Sequence, residues 1–100
     1  MELLRPLTKG DFPAKTASFT AAAANTGTWN AGPQGVLVWA DQACYVEVGE
    51  GAVATSSSTP IPAFTPIPFA IPANVSGEWR VSAIRVSVDG TLYCKPINRQ

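Results

Sequence analysis

Residues 80–95 read RVSAIRVSVDGTLYCK, two apolar-rich segments on either side of Asp89-Gly90. Asp-Gly is a favoured two-residue turn between antiparallel strands, because its positive φ angles match the twist of the paired strands. In the first segment Ile84, Val86 and Val88 alternate with polar residues and would share one face. The stretch therefore predicts a β-hairpin with one face in a core.

A second pair of strands is predicted upstream of this hairpin. Residues 36–40 are a short apolar run that follows Gly35, and residues 43–48 alternate between apolar and polar types. Short β-rich runs bounded by turn residues are typical of strands. We expect the two strands to pair with each other through a turn near residues 41–42.

The segment 60–72 has five prolines in thirteen residues. Proline excludes a helix and forces the residue before it into extended geometry. Because proline also lacks the amide proton that a central strand would donate, this segment is predicted to be an edge strand or an extended ribbon.

The N-terminal third has weaker patterns. Residues 16–29 are ambiguous, since four consecutive alanines favour a helix whereas the flanking Thr, Phe and Trp favour a strand. Residues 30–35 are dense in turn formers. Residues 1–15 hold five of the fourteen charges and follow neither period, so they are interpreted either as an arm that docks on a neighbour or on its own domain, or as a frayed terminus.

These patterns predict an all-β fold, a small antiparallel β-sandwich or barrel with an extended N-terminal arm. The arm is placed at residues 1–15 and a single β domain at residues 16–100, because 100 residues fit one compact unit.

The composition excludes several classes of function. Seven basic and seven acidic residues give a net charge of zero, so no long-range field favours nucleic acid or an anionic membrane. No segment has the length of apolar sequence expected of a signal peptide or a membrane span. Histidine is absent and no catalytic, phosphate-binding or metal-binding motif occurs, so we expect no enzyme activity, no cofactor and no metal.

The charge that is present is unevenly distributed. Charged residues make up 14% of the chain, against about 25% in a typical soluble domain, and residues 51–77 have none. Such a surface is typical of a subunit that packs against other subunits.

The cysteines and tryptophans leave alternatives open. Cys44 and Cys94 lie in apolar runs, which favours buried free thiols, although one disulfide between neighbouring strands is a second possibility. Trp39 is expected in the core because its run is apolar. Trp29 and Trp79 adjoin turns and could be core residues, subunit contacts or a platform for a sugar ring.

The order of segments resembles small accessory structural proteins of tailed bacteriophages, in outline over residues 30–97. The resemblance rests on a strand ending in Cys44-Tyr45-Val46, the following Gly49, a polar loop, the proline-rich segment and the closing segment 84–93. It implies a β-sandwich displayed on a virion, as in head decoration or cement proteins.

The expected function is that of a non-enzymatic virion structural protein, which stabilises the phage head by bridging major capsid subunits, as a homotrimer assembled onto the particle in the host cytoplasm. The alternatives are a neck or tail component, or a carbohydrate-binding module of a host-recognition structure. The residues expected to make contacts are apolar residues of the arm, the proline-rich segment and the turn-flanking tryptophans: Leu3, Leu4, Pro6, Leu7, Phe12, Trp29, Ile61, Phe64, Ile67 and Trp79.

Overall fold

The structure, a computed structural model, describes residues 4–6, 12–72 and 77–99, which form nine β-strands and no helix. This part of the chain therefore has no helix that could span a membrane. In chain order the strands are β1 Leu4–Pro6, β2 Lys15–Phe19, β3 Ala24–Trp29, β4 Gly35–Ala40, β5 Cys44–Gly49, β6 Thr59–Ile61, β7 Ile67–Ala70, β8 Trp79–Arg85 and β9 Gly90–Arg99.

The strands form two antiparallel sheets that pack together as a sandwich, which confirms the predicted fold class. In the first sheet β9 pairs with β4, and β4 pairs with β7 at one edge. The opposite edge is shared by β1 and β2, which pair with different parts of the long strand β9. The second sheet has the order β3-β8-β5-β6.

The core lies between the sheets and follows from the two-residue period of the strands. Alternate residues of each central strand are buried, and the largest fully buried side chains include Trp79, Phe19 and Leu92. Burial of a side chain of this size contributes roughly 2–3 kcal/mol. Trp29 and Ile61 also lie in the core, and its other members are small residues: Ala17, Val36, Val38, Ala40, Cys44, Val46, Val81, Ala83 and Cys94.

Both predicted hairpins are wrong in their pairing, although all four strands exist. The strands β4 and β9 pair in the first sheet, while β5 and β8 pair in the second. The chain therefore crosses between sheets at residues 41–43 and again at residues 86–89. The strand ends at Arg85, and Val86 and Val88 are exposed and not part of a core face.

The two crossings lie side by side and stabilise each other. The Asp41 amide donates to the Thr91 carbonyl over 3.2 Å, and the Asp41 Oδ1 accepts from the Thr91 amide over 2.7 Å. The Val86 amide donates to the Ala43 carbonyl over 3.4 Å. These hydrogen bonds hold the two connections together. Because β8 and β9 belong to different sheets, Asp89-Gly90 leads from one sheet into the other and does not form a hairpin turn.

The proline-rich segment forms edge strands, as predicted. It contributes β6 at the edge of the second sheet and β7 at the edge of the first, where Pro60 and Pro68 are exposed. An edge position tolerates proline because no further strand needs its amide proton. Residues 62–66 connect the two edges across the sandwich.

The ambiguous segment 16–29 forms strands β2 and β3, so the helical alternative is wrong. The exposed residues 20–22 turn the chain, with the Thr20 hydroxyl accepting from the Ala22 amide. In the arm, β1 pairs with β9 of the same chain, so the described residues Leu4–Pro6 dock on their own domain.

Candidate functional site

Trp29 and Trp79 form the aromatic centre of the core. Their ring centroids are 4.8 Å apart, and the rings are 3% and 0% exposed. Each indole N–H donates to a backbone carbonyl, from Trp29 to Pro13 and from Trp79 to Asn30. Neither ring is available to a partner or a sugar, so the core alternative is confirmed for both residues, and the subunit-contact and ligand-platform alternatives are wrong. Burial removes the apolar rings from water, and the backbone carbonyls accept the hydrogen bonds of the indole N–H groups.

The other predicted contact residues are divided between core, surface and segments of which less is described. Ile61 is buried in the core, which corrects its placement among contact residues. Phe12 and Ile67 are half-buried and pack against the core. Leu4 and Pro6 lie in β1, whereas Leu3 and Leu7 lie outside the described residues. Phe64 is 67% exposed.

Three aromatic side chains lie close together at the outer face of the first sheet, where Phe64 and Tyr93 are exposed and Trp39 is half-buried. Trp39 on β4 stacks on Tyr93 on β9, with centroids 4.5 Å apart and planes at 15°. Phe64, in the connection between β6 and β7, lies 6.4 Å from Trp39 at 35°. We call Tyr93, Trp39 and Phe64 the aromatic row.

Strand register explains why two rings of the aromatic row point outward. On β4 the residues Val36, Val38 and Ala40 are buried, so the intervening Trp39 lies on the outer face of the sheet, where it is half-buried. Trp39 is directly opposite Tyr93 in the β4–β9 pairing. The expectation that Trp39 lies in the core is therefore wrong, because an apolar run includes residues of both faces of a strand.

Phe64 extends the aromatic row through an unusual backbone conformation. Its φ of 57° lies in the left-handed region, which costs a residue with a side chain roughly 1–2 kcal/mol. The conformation is held by a hydrogen bond of 2.7 Å from the Phe64 amide to the Ala40 carbonyl, next to Trp39. The result is an aromatic ring that is held at the surface and not buried.

A shallow groove of about 250 Å³ runs beside the aromatic row. Leu37, Trp39 and Tyr93 line it together with residues 14–16 of the first sheet's edge and with Cys94 and Lys95. The Lys95 ammonium donates to the Phe12 carbonyl over 2.6 Å. The Lys15 ammonium instead reaches β3 of the second sheet, where it donates to the Thr28 carbonyl over 2.6 Å and lies 5.4 Å from the centroid of the Trp29 ring. None of the residues that line the groove is acidic.

The carboxylates that the structure describes lie elsewhere and have structural partners. Glu47 accepts from the Ser58 hydroxyl, Glu50 from the Gly77 amide, and Asp89 pairs with Arg85 over 2.7 Å. Within residues 4–6, 12–72 and 77–99, no three His, Cys, Asp or Glu side chains are grouped so as to hold a metal ion.

The two cysteines are buried free thiols, which confirms the favoured interpretation. Burial raises the pKa of Cys44 to about 11, with a further contribution from the nearby Asp41 charge. Burial also raises the pKa of Cys94 far above its usual value, and Cys44 adds to that effect. Both groups are therefore neutral thiols at physiological pH and poor nucleophiles.

The sequence patterns did not predict that Trp39 lies on the outer face beside Tyr93. The signal was the alternation itself: Trp39 is out of step with Val36, Val38 and Ala40, and Tyr93 is out of step with Leu92 and Cys94.

Comparison of the chain with protein-family models, curated proteins and solved structures finds no match.

Proposed function

We propose that this protein is a non-enzymatic virion structural protein, a head decoration or cement protein that bridges major capsid subunits of a tailed phage. The observation that carries the proposal is the aromatic row, three aromatic side chains clustered on one face of a neutral chain. Exposed aromatic clusters of this kind are enriched at protein interfaces.

The rigidity of this surface supports a binding role. Trp39 and Tyr93 stand on adjacent central strands, and the Phe64 backbone is bonded to the end of β4. A surface that is ordered before it binds loses less conformational entropy in the complex. Residues 51–77 have no charged side chains, so a partner that contacts them would not have to remove water from a charged group.

The proposed mechanism is linkage by mass action. A protein that binds the assembled lattice and not its dissociated subunits stabilises the lattice by its binding free energy at every site.

We propose a homotrimer as the bridging unit, since a trimer presents three copies of the same surface to neighbouring subunits. Light scattering on the purified protein tests this state, and a monomer at all concentrations would contradict it.

The function is tested by adding the purified protein to phage heads that lack it. We expect binding, and a higher temperature of head disruption in the presence of the protein. The variant Trp39→Ala should bind more weakly, whereas Tyr45→Ala, which removes a half-buried tyrosine from the second sheet, should bind as the parent does. Heads that neither bind the protein nor gain thermal stability would overturn the proposal.

Copy number distinguishes a decoration protein from a neck or tail component. A decoration protein should be present in purified virions at a copy number comparable to that of the major capsid protein. A neck or tail component should be present as one ring or a few rings. Quantitative mass spectrometry of virions measures this ratio.

A further inference from the structure

We propose that the copies of the homotrimer exchange their N-terminal strands, so that β1 of each copy pairs with β9 of the next. The exchanged pairs keep the register that the single chain shows, from Leu4 opposite Arg99 to Pro6 opposite Ile97. This inference rests on the proposed function, because it describes how the copies of the bridging unit contact each other. The partner at this edge is a second copy of the chain.

The strands β1 and β2 lie along one edge of β9, and the chain that connects them is longer than the gap. Pro6 pairs with Ile97 and Lys15 pairs with Cys94, so the two strands are three residues of β9 apart, about 10 Å. Residues 7–14 connect them, and the steps from Pro6 to Lys15 reach up to about 30 Å. The connection is therefore longer than pairing within one chain requires.

The chain is anchored to its own domain just before β2, which limits the part that exchanges. The Phe12 carbonyl accepts from the Lys95 ammonium over 2.6 Å, and the Pro13 carbonyl accepts from the Trp29 indole over 2.8 Å. The Phe12 side chain also packs against the core. The exchanging segment is therefore residues 1–11, and Pro6 can lie up to about 20 Å from Phe12. A second copy has to place its β9 within that distance.

The strand β1 pairs with a part of β9 that extends beyond β4. The β4 pairing ends at Ile97, so among the described residues Asn98 and Arg99 pair with β1 and with no other strand. A two-stranded ribbon is only marginally stable in water. Since β1 is also just three residues long, its pairing within one chain can open at low cost.

A second copy fits the opened edge because it has the same strand. Exchange forms the same backbone hydrogen bonds again, so the concentration of copies decides between the closed and the exchanged form. A tether of this length gives the chain's own strand an effective concentration on the order of 1 mM, which neighbouring copies on a crowded head can match. Exchange from each copy to the next closes into a ring, so every β9 edge in the trimer is occupied.

The experiment is disulfide trapping in the full chain with Leu4→Cys and Arg99→Cys. The two positions are directly opposite in the β1–β9 pairing, where α-carbons lie about 4.5–5.5 Å apart, within the range that a disulfide bridges. Glutathione disulfide oxidises the protein, and SDS gel electrophoresis without reductant separates the products. A closed chain gives an internal bridge, whereas an exchanged chain gives a bridge between copies. The native Cys44 and Cys94 are buried.

We expect disulfide-linked trimers at about 1 mM protein, and mostly internally bridged monomers when the protein is diluted to about 10 μM before oxidation. The matched control is Ser18→Cys with Thr91→Cys, directly opposite in the β2–β9 pairing. Because β2 does not exchange, this control should form internal bridges at both concentrations.

Mixed isotopes give a second measurement that does not depend on the gel. Copies of the trapping variant with and without ¹⁵N are mixed before oxidation, and the linked peptides are analysed by mass spectrometry. Exchange predicts bridges between a labelled position 4 and an unlabelled position 99. If the first variant does not fold, Arg5→Cys with Asn98→Cys serves as the second pair, since these residues are also directly opposite.

Two outcomes would overturn the inference: internal bridges alone at every concentration, or linked species that stop at dimers when oxidation is complete. Either outcome leaves the proposed function standing if heads still bind the parent protein. Conversely, linked trimers of a protein that does not bind heads would refute the proposed function and keep the exchange.

Discussion

Phe64 combines an exposed aromatic ring with a backbone conformation that is unfavourable for a residue with a side chain. The hydrogen bond from the Phe64 amide to the Ala40 carbonyl holds the backbone in the left-handed conformation. The strain of this conformation comes from the β-carbon and not from the aromatic ring, so alanine would have it too. We therefore predict that Phe64→Gly is more stable than Phe64→Ala by about 1 kcal/mol, because only glycine adopts this φ without strain. Urea denaturation of the two variants measures the difference. Equal stability, or a more stable alanine variant, would contradict the strained backbone.

The cysteines make stability depend on alkaline pH. Both thiols have raised pKa values in the folded state, so folded protein keeps protons that the unfolded chain releases above about pH 9. Their contribution to stability is complete below that pH. It is lost as the pH rises toward 11 and, for Cys94, beyond it.

We predict that the free energy of unfolding falls between pH 8 and pH 10.5, by up to about 2 kcal/mol per thiol. Urea denaturation across this range measures it. The double variant Cys44→Ala, Cys94→Ala is the control, because it removes both thiols and leaves the rest of the chain unchanged. The control should show a shallower decline, and an unchanged slope would count against the thiols as the cause.

At the scale of elements, the two sheet crossings depend on a glycine. A β-carbon on Gly90 would lie 2.5 Å from Asp41 Oδ1 and 2.8 Å from the Phe19 ring. The Asp41 carboxylate could not move away without losing its hydrogen bond to the Thr91 amide. The glycine is needed here for close approach, because the two crossings stack at this point.

We predict that Gly90→Ala destabilises the protein by about 2–3 kcal/mol, the usual cost of overpacking plus the weakened hydrogen bond. Gly77→Ala is the matched control, since nothing lies within 4 Å of a β-carbon at Gly77. That variant should stay within about 0.5 kcal/mol of the parent. Thermal denaturation compares the two, and similar losses in both would refute the role of close packing at Gly90.

The elements also show which parts of the fold can be predicted from sequence. The positions of β4, β5, β8 and β9 can be predicted, because the alternation of apolar and polar residues and the flanking turn residues lie within each short segment. Their pairing does not, because a hairpin and a crossing between sheets share the same local pattern. The proline-rich edges were predictable, since the missing amide proton constrains each segment directly.

At the scale of the whole molecule, the tryptophans distinguish the inside from the outside of the sandwich. Local apolarity predicts Trp39 inside and leaves Trp29 and Trp79 undecided, whereas the structure buries Trp29 and Trp79 and leaves Trp39 half-buried on the outer face of the first sheet. The reason is that burial depends on which face of a strand meets the other sheet. That property belongs to the packed sandwich and not to any segment.

We predict different consequences for exchanging these tryptophans. Trp39→Phe should cost less than about 1 kcal/mol and remove the fluorescence that acrylamide quenches. Trp79→Phe should cost about 2–3 kcal/mol, because it leaves a cavity and frees the Asn30 carbonyl. Acrylamide quenching and urea denaturation measure both effects. A Trp39→Phe protein that loses more stability than Trp79→Phe would contradict the assignment.

We propose that the protein binds the major capsid protein through the outer face of the first sheet. The most direct measurement is a cryo-EM reconstruction of phage heads with the protein bound, at a resolution that shows side chains. We predict that Tyr93, Trp39 and Phe64 lie in the contact with the major capsid protein. Contact through the second sheet, with the aromatic row facing solvent, would contradict the claim.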